Sequence, residues 1–448
     1  MTAALFLMLR SATSLNMDLE LSRFYNACNP MLPLNSSIEE DRKYYVDLSE
    51  VRGARLFQGM ERQITTLSPN KATCQLFTGR IGCGKSTELL RLKYLLEQQN
   101  FHVVYFESDR VLELADVAVS DVLLAIAGQI SSSLESKNVI MKVPETLKKI
   151  LGELKDLLQS PVDFGVNFKL SLGIAEITAQ SKKNDSIRRQ IRERLESRIS
   201  KIINAINDEL LEPAKRQLQS QGMKGLVVIV DNLDRIENRI DDKDRNKAGY
   251  LFVERSDLRE LKCHVLYTVP FLLTFSNDAA IVEDRFGTQI KTLPMIPTSL
   301  PDGSECLTGM ALLRQIVMSR AFPSANSLQR VSDESIAKVF ENPQTLDRLC
   351  QVSGGHVRDL FRLLSACLQQ EDPPITRELL ENTIASERNS LVKKITEDEW
   401  TLIRKVHQAK QLSGESEYQT LIRSKFVFEY EYKNEGWFDV NPILASKL

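Results

Sequence analysis

From Thr73 onward the chain alternates short apolar runs with longer stretches in which apolar residues return every third or fourth position. That alternation predicts βαβ units around a parallel sheet. The runs cover residues 74–78, 103–106, 226–230, 265–269 and 289–293, enough strands for one α/β core. Between the second and third runs lies an insert, residues 131–222, too long for a plain crossover. Within it, 165–172 and 174–178 alternate around Gly173, a pattern that predicts a β-hairpin. Next, Ile187, Ile191, Leu195, Ile199, Ile202, Ile203, Ile206, Leu210 and Leu211 recur at helical steps and predict one long amphipathic helix. Its polar face opens with Arg188, Arg189, Arg192 and Arg194, read either as a solvated basic face or as a contact to phosphate or a neighbouring subunit.

Past Pro297 the pattern becomes helical, over 310–321, 333–339, 343–352 and 356–370. Helices over 396–412 and 418–423 follow, then apolar alternation over 426–432 and 436–440 around the turn 433–436. Two helices and a hairpin in that order suggest a winged helix. The expected organisation is a leader over 1–40, of which 1–16 is poorly defined, an α/β core over 41–300, a helical domain over 301–390 and the winged helix over 391–448.

Composition narrows the class. At 448 residues and roughly 150 per domain, about three domains are expected, and 42% hydrophobic content supports a packed core in each. Lys and Arg number 58 against 60 for Asp and Glu, so the net charge of −2 lacks the excess of a general polyanion binder. Seven scattered cysteines without a C-x-x-C pair read as reduced thiols. The first charge follows the N-terminal apolar run, the reverse of a signal peptide, and no window approaches the about 20 apolar residues of a membrane span. A soluble, cytoplasmic protein is expected.

The strongest chemical signal is Gly79-Arg80-Ile81-Gly82-Cys83-Gly84-Lys85-Ser86, with Thr87 next, between an expected strand and an expected helix. This fits G-x-x-x-x-G-K-[ST] in the context the motif requires. Glycines let the loop curl so that its N–H groups face phosphates, Lys85 reaches β/γ oxygens, and Ser86 offers its hydroxyl to Mg2+. ATP with Mg2+ is the expected ligand, and a site that binds nucleotide without turnover is the alternative. The apolar run 226–230 ends in Asp231, at the strand edge where ligands of such sheets bind, and Asp231 is expected to hold Mg2+. Asn232 stands where many such ATPases carry a catalytic Glu, so Asp234 is the nearest candidate base, or else a helix N-cap.

In this order the residues resemble the AAA+ and STAND branch of P-loop ATPases over most of 40–370, with the helical domain as the lid. Thr268, at the end of the fourth strand, resembles sensor 1, or is ordinary strand-end chemistry. Arg285, before the fifth strand, resembles an arginine finger, or is a surface salt-bridge partner. Arg358 follows Gly354-Gly355 as the sensor 2 arginine does, and Tyr44, Tyr45 and Arg52 occupy the place of the adenine-gripping segment. The insert and the Asp231-x-x-Asp234 strand end look closer to STAND, KAP and origin-recognition-like ATPases. The resemblance implies a nucleotide-dependent switch in a bacterial signalling or defence system. A functional Arg285 implies self-association, whereas the alternative for it predicts a monomer.

Two other readings remain open. A DNA-associated ATPase for replication, transposition or partition would use the basic helix from Arg188 to Arg198. The expected recognition helix instead begins with Glu415 and Glu417, and the wing carries Glu429, Glu431, Glu435 and Asp439, the wrong sign for phosphate. Intramolecular or protein contact is therefore favoured over DNA for that module, with Phe428 and Trp437 as wing core. A nucleotide-binding scaffold without turnover is the third reading. His102, His264 and His407 are isolated and read as packed or surface residues, and His356 alone lies near the proposed chemistry.

Overall fold

The computed structural model describes residues 18–53, 56–137, 139, 142–158, 169–181, 185–236, 249–412 and 416–448. The expected leader over 1–16, positions 165–168 of the expected hairpin and Glu415 lie outside them. Contacts divide the chain into two compact units, one from the described residues within 1–55, 80–87 and 293–448, the other from 56–79 and 88–292.

The second unit holds the sheet. Its strands are β1 Cys74–Gly79, β2 Phe101–Glu107, β3 Gly225–Asp231, β4 His264–Thr268 and β5 Ile290–Leu293, in the order β2-β3-β4-β1-β5. All five expected runs are strands, and β2/β3, β3/β4 and β4/β1 pair in parallel. Residues 226–230 of β3 are at most 1% exposed, the two-sided burial that makes a parallel strand read as an unbroken apolar run. The Val119–Ser136 helix packs on β2 and the Glu212–Ser220 helix on β3. Register sets Phe77 against Thr268 and Val230 against Tyr267, so β1, β3 and β4 end side by side, β3 at Asp231 and β4 at Thr268.

The insert departs from expectation twice. Leu170–Ser181 is a helix, not the second part of a hairpin. Alternation puts Leu170, Leu172 and Ile174 on one face, yet Leu170 and Ile174 are buried and Leu172 is 63% exposed, the four-residue step of a helix. Ile174 packs where Gly128 leaves room, its Cδ1 3.4 Å from the position a Cβ would take there. The long helix is also broken. Asp185–Glu196 ends in a turn at 197–198, and the chain then runs through Ile199–Asn204 and the π-helical Ala205–Leu211 into Glu212–Ser220. Pro213 lacks an N–H and its ring crowds the preceding turn, which a widened π turn accommodates. The apolar positions from Ile191 to Leu211 stay buried across both interruptions, which is why the periodicity hides them.

The first unit is helical, with Leu307–Ala321, Asp333–Ala337, Pro343–Ser353 and Val357–Leu368 close to the expected spans and Arg377–Val392 a further helix that the pattern reading did not include. Asn342 and Thr376 cap two of them through the amide three residues on. The C-terminal part has helices Glu397–Ala409 and Ser416–Arg423, then β6 Val427–Tyr432 and β7 Glu435–Val440, paired antiparallel. Lys433 and Asn434 join them with φ of +52° and +67°, the two left-handed residues of a tight hairpin turn. The fold class is the expected one: an α/β P-loop core with a parallel sheet, a helical lid and a C-terminal winged helix. All seven cysteines are free, and burial pushes the Cys28 and Cys263 thiols up to about 12. No helix among the described residues is long and apolar enough to cross a membrane.

Two glycines test this packing in opposite senses. A Cβ on Gly309 would stand 1.8 Å from the Pro297 carbonyl oxygen, whereas Gly152, inside the Glu145–Leu158 helix, faces open space. Gly309→Ala is expected to cost at least about 2 kcal/mol, and Gly152→Ala to stabilise by about 0.5–1 kcal/mol. Urea midpoints of the two variants check both signs.

Candidate functional site

The phosphate-loop motif takes a glycine-dependent shape. Gly82 and Gly84 have φ of +94° and +106°, values that only glycine adopts without strain. A Cβ at Gly82 would stand 2.7 Å from His356 Cε1 and 2.9 Å from Arg358 Cβ. The helix Lys85–Gln98 begins at the loop's end, and the N-terminus of a helix is the end that favours an anion. Lys85 is 7% exposed and its Nζ donates to the Arg80 carbonyl, 3.2 Å away. Cys83 is buried, Ser86 is half-buried, and Thr87 Oγ1 accepts the Leu34 N–H at 3.1 Å.

Two further groups of the same unit hold this loop. The Arg358 N–H donates to Gly82 O at 3.1 Å, and His356 Nε2 lies 2.8 Å from Ile81 O. Arg358 Nε donates to Pro30 O at 3.3 Å. Arg80 points the other way: Nη1 donates to Ile422 O and Nη2 to Val427 O, each at 2.7 Å, and the guanidinium sits 5.0 Å above the Phe428 ring. Burial pulls the Arg80 guanidinium down to about 10. His356 stacks on the same Phe428 at 5.9 Å, and Tyr430 OH donates to Gly354 O at 2.9 Å. His356 also caps its helix, Nδ1 accepting the Asp359 N–H. Burial would raise the Asp359 carboxyl, but His356, Lys425 and Arg362 hold it well below the usual carboxylate range. Phe428 and Trp437 are wing core as expected, at 0% and 3% exposure.

The N-terminal segment differs from expectation. Tyr44, expected near the base, is buried under Arg320, whose guanidinium lies 5.2 Å from its ring and 4.9 Å from that of Phe361. Arg320 also donates to Ala27 O and Tyr44 O, so Tyr44 serves the packing of this unit. Arg52 instead reaches the loop, Nη2 donating to Cys83 O at 2.6 Å.

In the sheet unit, Asp231 is fully buried and accepts from Tyr105 OH at 2.7 Å and from the Asn232 N–H at 2.7 Å. Tyr105 escaped the sequence reading, though the strand period places it two residues before the β2 end, facing the same way as Asp231 in register. Asn232 adopts φ +61° and its amide donates to Asp109, leaving it turned into a brace. Asp234 follows in a short 3-10 turn at 8% exposure. Thr268 Oγ1 accepts the Leu233 N–H at 2.9 Å and the Asp234 N–H at 3.4 Å, and donates to Val230 O at 3.4 Å. One donor and two lone pairs are the whole capacity of a hydroxyl, so Thr268 holds the turn that carries Asp234. Arg285 is exposed at the end of the Asp278–Phe286 helix and donates to Glu254 O at 2.7 Å.

Part of the basic helix's charge is paired. Arg188 and Arg192 both clasp Asp116, at 3.2 Å and 2.7 Å, and Arg198 pairs with Glu153 at 2.5 Å. In the wing, Asp439 pairs with Lys410 at 2.7 Å and with His407 at 2.9 Å. His102 and His264 are buried in the sheet unit, which lowers both to about 4. No cluster of three or more His, Cys, Asp or Glu able to hold a metal occurs among the described residues. Ser86, in the first unit, and Asp231, in the second, are each oxygen donors, the ligand type that hard cations take.

Burial pushes the Glu429 carboxyl up to about 7, opposed by Arg80 and reinforced by Glu431. The folded chain therefore keeps this proton after the unfolded chain has lost it, and stability falls as pH rises from about 4.5 to about 7. Glu429→Gln is expected to flatten that slope and to stabilise at pH 8 by on the order of 2 kcal/mol. Urea unfolding across pH 4–8 reads it.

No family model and no curated protein matches the sequence. Among solved structures the chain is similar to the Aeropyrum pernix ORC2 protein in its ADPNP–ADP complexes, at 11% identity and TM-score 0.40, covering 90% of this chain and 93% of that one. It is similar to Cdc6p from Pyrobaculum aerophilum, at 12% identity and TM-score 0.38, with 91% and 96% covered. It is also similar to the Aeropyrum pernix ORC1 protein in complex with DNA, at 13% identity and TM-score 0.37, with 90% and 96% covered.

Proposed function

We propose that the chain binds ATP with Mg2+ at the loop 79–87 and works as an AAA+/STAND-like nucleotide-dependent switch. The observation that carries this reading is the double grip on the loop: Arg80 is held by main-chain carbonyls of the winged-helix region, while Ile81 and Gly82 are held by His356 and the Arg358 amide. Closing the loop on phosphates moves these atoms, so the ligand state is transmitted to the C-terminal module by contact.

Lys85 and the N–H groups of the loop bind the phosphates, Ser86 and Asp231 offer oxygens to the cation, and Arg358 lies against the loop as the sensor 2 arginine. ATP supplies the phosphoanhydride bond. Asp234 orients and deprotonates the attacking water, Thr268 fixes the turn that presents it, and Arg285 acts on the site of a second copy. The paired state of Arg188, Arg192 and Arg198 weighs against the DNA-associated reading. Asn232, braced on Asp109, keeps the scaffold without turnover as the second reading.

Lys85→Ala is expected to lower ATP affinity at least about 100-fold in calorimetric titration, and retained tight binding would sink the proposal. Light scattering with ATP, ADP or no nucleotide, with phosphate release followed in the same samples, separates the two readings. A switch gives an ATP-dependent assembly and a turnover that Asp234→Asn and Arg285→Ala reduce at least about 10-fold. A silent, ATP-bound monomer leaves the scaffold.

A further inference from the structure

Arg52 is an electrostatic anomaly. It is 4% exposed, its side chain makes one hydrogen bond, Nη2 to Cys83 O, and its Nε is buried without a partner. A guanidinium stays charged at any physiological pH, and a buried charge without a counter-ion is among the costliest arrangements a fold can hold. Arg320 shows how this protein settles such a cost when the role is structural, with carbonyls of two residues and two aromatic faces around the guanidinium. Arg52 has no ring face and no carboxylate within salt-bridge distance among the described residues.

Its position says what is missing. The Val51 and Arg52 N–H groups both donate to Leu48 O, and Leu48 and Val51 are core residues, so the backbone is anchored before the side chain begins. The side chain then lies along the phosphate loop, with Nη1 3.4 Å from where a Cβ on Gly84 would stand. Cys83 and Gly84 immediately precede Lys85, in the stretch whose main chain cradles phosphate in loops of this sequence.

We propose that Arg52 is a second phosphate-binding cation of this site, and that the β-phosphate of a nucleoside di- or triphosphate is its counter-ion. This rests on the nucleotide-binding reading and extends it, moving Arg52 from the base, where the sequence resemblance puts it, to the phosphates. The fork serves both functions: Nη2 holds the loop carbonyl, and Nη1, beside Gly84, is left to donate to phosphate oxygens.

A charge kept for a ligand and a charge kept for structure differ in sign when removed. Full-length Arg52→Met keeps the apolar stem and deletes the charge, and Arg52→Lys keeps the charge and deletes the fork. Thermal midpoints without nucleotide, and calorimetric titrations with ATP, ADP and AMP, are measured on both and on the wild type. Arg52→Met is expected to melt at or above the wild-type midpoint without nucleotide, and to lose on the order of 10- to 100-fold in ADP and ATP affinity with a smaller loss for AMP. Arg52→Lys is expected to lose less than Arg52→Met. A lower midpoint for Arg52→Met, or unchanged ADP affinity beside a wild type that binds it, overturns the assignment and leaves the nucleotide-binding reading standing. A wild type that binds none of the three nucleotides overturns both.

Discussion

A buried guanidinium cannot be left half-solvated, and the two hydrogen bonds from Arg80 to Ile422 O and Val427 O are what tie the phosphate loop to the last part of the chain. Those carbonyls lie at a helix end and a strand start, positions where main-chain acceptors are short of partners. The Phe428 ring closes the third side, and His356 stacks on it from the sensor-like turn. Loop, turn and wing thus share one aromatic centre, and a displacement of any one of them breaks charge-assisted hydrogen bonds in the others. The same unit gathers Arg52, Lys85 and Arg358 along the loop, so its electrostatics favour an anion.

The sheet unit meets a different constraint. Parallel strands buried on both faces must end with their carbonyls and carboxylates satisfied. Asp231 does so through Tyr105 and its own following amide, and Thr268 through the amides of the Asn232–Asp234 turn. The acidic turn is therefore held by groups from β2 and β4.

The strands, four of the lid helices, the C-terminal helices and the hairpin were legible because each obeys a local rule: an unbroken apolar run, a helical step with a capping residue, a two-residue turn. The insert was not. Leu170, Leu172 and Ile174 satisfy a strand period and a helix period alike, and only the space at Gly128 decides between them. The breaks at 197–198 and before Pro213 were invisible because burial continues through them. The basic face looked free because its partner Asp116 stands about seventy residues earlier in the chain.

By itself the sequence determined the phosphate-loop motif, the strand that carries Asp231 and the order of the elements, since these depend on residues adjacent along the chain. Tertiary structure alone decided which charges are spent and which are kept. Arg188 and Arg192 are consumed by Asp116, Tyr44 by Arg320 and Thr268 by the acidic turn, whereas Arg52 is delivered to the loop with donors to spare. The reason is physical: a side chain's chemistry depends on the partners and the dielectric around it, and both are assembled from residues far apart in sequence.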